Sequence, residues 1–355
     1  MPTAGLIPTP DAIPVAWGWL EILLVFTFAA HILLMNAVVG GALVCAVRSV
    51  SYRSDTAVRE LSHALPTLFA LTVNFGVAPL LFAQMLYGQF FYTSSVLMAV
   101  YWLSVVFLVI AAYSGLYVFR YRYDEQGRSR WVIFAVCGVL LFVGFIFTNN
   151  ITLMQSPQEW SRYFEEMGGT LLNTGDPTLF PRYLHFMLAA LAVGGLTLAL
   201  LFALRRRKGT VAPAEAERQI RFGMGWFSVC TAFQLLVGGI FFGSLPLEIR
   251  RLFLGDSTLH TGALIVGLVL VAITLHYSVR RRVFLTAVTL VCTVFAMSGI
   301  RALVRAEYFS PYFSVTELPV RPEYSPMILF FLSLLGGLLC IWYMLRISFR
   351  NGKEV

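Results

Sequence analysis

The chain has 355 residues, of which 58% are hydrophobic and only 12% charged. Soluble domains carry about 25% charged residues, so these figures exclude a water-soluble globular protein. The net charge of +8 falls almost wholly on one set of loops, which excludes a nucleic-acid surface as its cause.

A hydrocarbon core about 30 Å thick takes about 20 apolar residues per helix, and lipid offers no partner to a backbone that does not bond internally. Nine apolar blocks meet that length and are expected to be helices. Residues 1–17, which are Pro-rich and lack the basic segment of a signal peptide, read as an arm laid on the outer face. The first block, about 18–46, carries Glu21 near its outer end and His31. The second, 65–89, follows His63 and contains Gly76–Val77–Ala78–Pro79, a candidate helix break. Blocks 95–119 and 131–154 follow, then a long outer loop, 156–181, of a size to present a partner or substrate surface. The fifth block, 182–204, opens on Arg182 and His185 in FPRYLHFMLAALAVGG. The sixth, 222–245, leads into a short loop holding Glu248, Arg250, Arg251 and Asp256. The seventh, 259–279, begins at His260 and ends near His276. The eighth, 283–304, contains Arg301 with Arg305 just beyond it. A proline-punctuated outer cap, 305–325, precedes the ninth block, 326–346.

The loops after the odd-numbered spans, with the C-terminal tail, hold 19 of the 26 Lys and Arg residues. By the positive-inside rule the N-terminus is expected to be periplasmic and the C-terminus cytoplasmic. The expected fold is therefore all-α: a single membrane domain over 1–355, a polytopic nine-helix bundle in a bacterial inner membrane.

Five cysteines stand singly in apolar spans, with no C-x-x-C-H run for covalent haem and no paired spacing for zinc or iron–sulfur. They read as small buried hydrophobes. Nucleotide-binding glycine motifs are also absent. Chemistry then rests on the histidines, because ionisable groups inside a membrane tend to face the bundle interior and mark function. His185 and His260 both open spans on the outer side, at similar expected depth. Two neutral imidazoles from different helices can hold a low-spin haem iron, and Ala189 and Ala192 leave one face of the fifth span low enough for a macrocycle. Arg182, Arg250 and Arg251 are candidate partners for its propionates. The competing reading of His185 is an interfacial ring bonded to a carbonyl. His63 and His276, near the cytoplasmic side, are either ligands of an inner haem or interfacial anchors. Arg301 and Arg305 read as propionate or quinone contacts, or as partners of Glu307 or of lipid phosphate.

The pattern resembles the main subunit of the cytochrome bd quinol oxidases. ILLVFTFAAHILLMNAVVGG is similar to that family's first helix, which implies a haem ligand at His31; the alternative there is a helix–helix hydrogen bond to Asn36 or to a hydroxyl. LFALTVNFGVAPLLFAQMLYGQFF and NNITLMQSP resemble the second helix and the fourth-helix exit, and FPRYLHFMLAALAVGG resembles the fifth helix with its haem-ligating histidine. The family's second ligand to that haem, a methionine, aligns at or beside His260. The departures are as informative. The family's third-helix glutamates fall at Trp102 and Ile110, its eighth-helix glutamate near Ile300, and its long quinol loop shrinks to residues 246–258. Only Glu21 among the acidic residues lies within an expected span, so a proton route for oxygen reduction is missing.

The resemblance and its departures together imply a b-type haem electron-transfer subunit that is expected to pass electrons between the quinone pool and a periplasmic partner, a c-type cytochrome or other redox subunit. Glu21, Glu248 and Asp256 are candidate quinone contacts. A divergent terminal oxidase subunit and a haem-free anchor or transporter are the alternatives.

Overall fold

The structure, a computed structural model, describes residues 3–51, 55–126, 130–165 and 167–351. The apolar blocks form helices α1 (Trp17–Ser51), α2 (Thr56–Leu97), α3 (Ala99–Gln126), α4 (Arg130–Met154), α5 (Leu179–Arg207) and α6 (Pro213–Ser244). A five-residue α7 (Leu247–Arg251) and a π-helical turn (Leu252–Asp256) lead to α8 (Thr258–Val279), α9 (Val283–Phe309) and α10 (Tyr324–Asn351). No strand occurs among the described residues.

Eight of these helices, α1–α6, α8 and α9, are long and apolar enough to cross a membrane. The ninth expected span corresponds to α10, whose apolar stretch is shorter, Ile328–Met344, and whose described side chains are all exposed. The helices outrun the apolar blocks because polar residues at their ends continue the backbone bonding. At the start of α2, the Asp55 carboxylate accepts from Ala57 N at 2.8 Å, a standard N-cap. The 42 residues of α2 rise about 63 Å, twice a bilayer core, so the helix must bend. It does so at Tyr87 (φ −132°, ψ 28°) rather than at Pro79, which stays helical. One missing donor at a proline is absorbed by the surrounding helix.

Helix α5 is the centre of the bundle and packs against both α1 and α6 through glycine. A Cβ on Gly195 would stand 2.6 Å from Gly223 O on α6, and one on Gly40 of α1 would overlap the Ala190 carbonyl. Only backbone-to-backbone approach fits there, as at the small-residue faces of membrane helices. One end of the bundle, the basic end, is tied by Arg48 Nε to Asp55 Oδ2 at 2.6 Å and by the Arg205–Glu60 pair. Cys45, Cys137 and Cys230 are buried, as expected of small hydrophobes, but Cys292 and Cys340 are exposed; their helix faces lack a neighbour.

At the opposite end, the arm end, the N-terminal arm is strapped to the segment after α9. Ile13 N donates to Pro319 O and Arg321 N to Ile13 O, both at 2.9 Å. The loop between α4 and α5 folds over the same end: Trp160 Nε1 donates to Leu153 O at 2.9 Å, and Asn173 N to Asn149 Oδ1 at 3.1 Å. It is a built cap rather than a linker.

Candidate functional site

The arm end collects most of the singled-out residues. Arg182, three residues into α5, is buried and donates from Nη1 to Gln155 Oε1 at 2.8 Å, while its Nε is buried without a partner. Its guanidinium also lies 5.3 Å from the Phe241 ring centroid. Arg305 of α9 pairs with Glu21 of α1 and stacks over the Tyr87 ring at 4.6 Å; its Nε too is buried without a partner. The Tyr87 hydroxyl donates to the other Glu21 oxygen at 3.3 Å. Arg301, one turn back along α9, sits 4.2 Å from the Phe28 ring centroid and within electrostatic range of Arg305, Arg182 and Glu21. Asp176 faces Arg182 from the loop. Three guanidiniums thus face two carboxylates, an excess of one positive charge with unused buried donors. Such a region favours an anion, because a buried donor without an acceptor costs about 1–3 kcal/mol.

The sequence allowed Glu307 as the partner of Arg301 or Arg305. The structure pairs Arg305 with Glu21 instead and turns Glu307 toward His260. Glu307 lies two residues beyond Arg305, about 200° around the helix at 3.6 residues per turn, so the two point apart.

His185 sits on α5 against α6. A Cβ on Gly238 would be 3.1 Å from its Cε1, so glycine is what lets the ring lie on the α6 backbone. The ring stacks on Phe241 at 6.4 Å between centroids and interacts with the Gln234 backbone carbonyl of α6, a carbonyl partner of the kind the competing reading gave it, while its buried Nδ1 falls short of full hydrogen-bond geometry. His260, buried as the third residue of α8, has Ser257 Oγ 2.8 Å from its Nδ1 and packs edge-on to Phe253 at 5.0 Å. Glu307 Oε1 is 3.3 Å from His260 Nε2 but off the line of a hydrogen bond, which leaves that nitrogen unbonded. The two imidazoles do not touch. They border one apolar cluster, built on Leu245, Ile249, Phe253 and Val304 with Phe241 and Phe242 against it.

His31 faces α2. Its Nδ1 lies 3.0 Å from the Thr72 carbonyl oxygen, and Gly76 gives it room, since a Cβ there would be 2.8 Å from Cε1. The partner is therefore a backbone carbonyl, not Asn36 or a hydroxyl. When Nδ1 carries the proton for that bond, Nε2 is left as the basic nitrogen, the arrangement that orients ligating histidines. His63 is half-buried near the start of α2 and His276 is exposed in the last turn of α8, both toward the basic end and away from the arginine cluster. Arg250 is half-buried with its Nε unpartnered. Arg251, Glu248 and Asp256 are exposed on the short loop and join no cluster.

Sequence reasoning missed Tyr87, Gln155 and the two glycine cradles, Gly76 and Gly238. Each becomes visible only when a second helix is placed beside the first. Among the described residues no three His, Cys, Asp or Glu side chains converge as a metal cage. The available chemistry is single imidazoles on glycine-lined helix faces beside arginines, donor types that a haem iron and its propionates would accept. No protein-family model matches the chain, and no curated protein matches it.

Proposed function

We propose that the chain is a nine-span membrane b-type cytochrome, N-terminus periplasmic, that passes electrons between the quinone pool and a periplasmic redox partner. The observation that carries the reading is the gathering at the arm end of two buried guanidinium nitrogens without a partner, Arg182 Nε and Arg305 Nε, and two imidazoles, His185 against the Gln234 carbonyl and His260 with Glu307 Oε1 3.3 Å from its Nε2. Native interiors leave few buried polar atoms unpaired, and a haem with two propionates would engage both kinds at once. His185 and His260 would hold the haem at this end, and His31 would hold a further one. Arg182, Arg301 and Arg305, with Arg250, would hold propionates.

Haem b supplies a one-electron iron couple when bound. The chain's own residues orient and insulate it. Gly238 and Gly76 set how closely each imidazole lies to its neighbouring helix, and the Thr72 carbonyl selects the His31 tautomer. Phe241 against His185 and Phe253 against His260 would give the site apolar walls, and a lower local dielectric strengthens the arginine interactions. Glu21 is the carboxylate beside this cluster, held by Arg305 and by the Tyr87 hydroxyl.

The test is a dithionite-reduced minus oxidised spectrum of the purified chain with pyridine haemochrome stoichiometry, repeated for His185→Ala, His260→Ala and His31→Ala. A b-type signal that falls in the variants supports the reading. Absence of haem from protein made with adequate haem supply would refute it and leave a haem-free anchor.

A further inference from the structure

A half-open cleft of about 300 Å³ lies at the arm end, apart from the histidines. Pro8 and Pro10 of the N-terminal arm form part of its wall, Pro311, Tyr312 and Phe313 after α9 form another, and Gln89 of α2 completes it. The two flanking segments are tied to each other by the Ile13–Val320 bridge, so the cleft is held by backbone bonding and not by side-chain contact alone.

Gln89 is the unusual member. It is 8% exposed, and its Nε2 is buried with no hydrogen-bond partner. A primary amide carries two donors, and leaving them unused in an apolar wall is costly. The amide is held there by the bend at Tyr87, two residues earlier, which carries the end of α2 away from the helix axis.

We infer that this cleft binds the headgroup of a quinone, with the Gln89 side-chain amide donating to one ring oxygen. Its size supports that class. Pockets for drug-sized ligands run about 300–1,000 Å³, so this one admits a single substituted ring and leaves an isoprenoid tail to the surrounding lipid. Prolines and aromatic side chains offer flat apolar walls to such a ring, and no charged side chain lines the cleft. A phospholipid headgroup would find no cation to neutralise it. The cleft also adjoins the arginine cluster. Phe313 lies 6.3 Å from Tyr87 between ring centroids, and the Tyr87 hydroxyl reaches Glu21. One aromatic layer separates the bound ring from the carboxylate. The site does not include Glu248 or Asp256, the loop positions named from sequence. The choice of a quinone, though not the existence of the cleft, rests on the function proposed above.

The experiment is photolabelling of the full chain in lipid nanodiscs with an azido-substituted short-chain quinone, followed by peptide mapping. Competitors are excess decylubiquinone and excess phospholipid. The expected label falls on residues 7–10 or 311–313, is displaced by the quinone but not by phospholipid, and drops severalfold in Gln89→Leu. Label confined to residues 246–258, or label that decylubiquinone does not displace, would overturn the inference whether or not the variant folds. Haem content of the same sample is read separately. A labelled cleft in a haem-free chain refutes the cytochrome reading and keeps the quinone site; a haem-bearing chain labelled elsewhere does the reverse.

Discussion

Replacing Gly40 by alanine should part α1 from α5. The added methyl would overlap the Ala190 carbonyl oxygen and lie 2.7 Å from Gly194 N. Carbon atoms sit comfortably about 3.5–4.0 Å from such neighbours, so the helices must separate by about 1 Å or more along this contact. Both sides are backbone, and no side chain can rotate aside. Overpacking of a tight interior costs about 1–3 kcal/mol, and rigid neighbours place this site at the upper end. The better helix propensity of alanine returns about 1 kcal/mol, leaving a net loss of about 2 kcal/mol. The assay is the unfolding midpoint in a denaturing-detergent titration followed by circular dichroism. Gly225→Ala is the control, because nothing lies within 4 Å of a Cβ there; it should be neutral or slightly stabilising. Gly194→Ala should cost a similar amount, and the double variant less than the sum, since parted helices already have room for the second methyl. A Gly40→Ala midpoint equal to that of Gly225→Ala would refute the backbone-contact reasoning.

Gly238→Ala and Gly76→Ala should each shift the absorption maximum or midpoint potential of the haem proposed at His185 or His31, by pushing the imidazole without removing it. Unchanged spectra and potentials in both would contradict the cradle roles. Arg305→Met strands Glu21 without its partner. Breaking a buried pair costs about 3–5 kcal/mol, and because the Glu21 side chain is 20% exposed the expected loss is about 2 kcal/mol. Glu21→Leu combined with Arg305→Met should recover most of it, and a double variant no more stable than Arg305→Met alone would show that the pair is not the cause. Truncation after Glu323 removes α10, whose described side chains are all exposed. The remaining chain should elute as a single species with its unfolding midpoint unchanged, and aggregation would show that α10 supports the bundle.

Composition and block length alone were enough for an all-helical chain with membrane-length spans, because lipid leaves the backbone one local way to satisfy its hydrogen bonds. The same local rule placed α1, α3–α6, α8 and α9 close to their apolar blocks. It said less about α2, where the bend falls at Tyr87 and not at the proline, because the bend answers to what surrounds the end of the helix. Individual site residues were legible for a similar reason: a histidine or arginine in an apolar run is conspicuous wherever the helix goes. Their partners were not. That Arg305 meets Glu21, 284 residues away, and that Glu307 turns to His260 depend on which helix faces meet. Those faces are set by glycine contacts such as Gly40 on Gly194 and Gly195 on Gly223. A glycine in a transmembrane helix looks alike in sequence whether it meets lipid, as open space around Gly225 and Gly239 allows, or another backbone. Helix formation is a property of each segment's own hydrogen bonds, whereas pairing is a property of surfaces brought together by the whole bundle, and only the tertiary structure decided it.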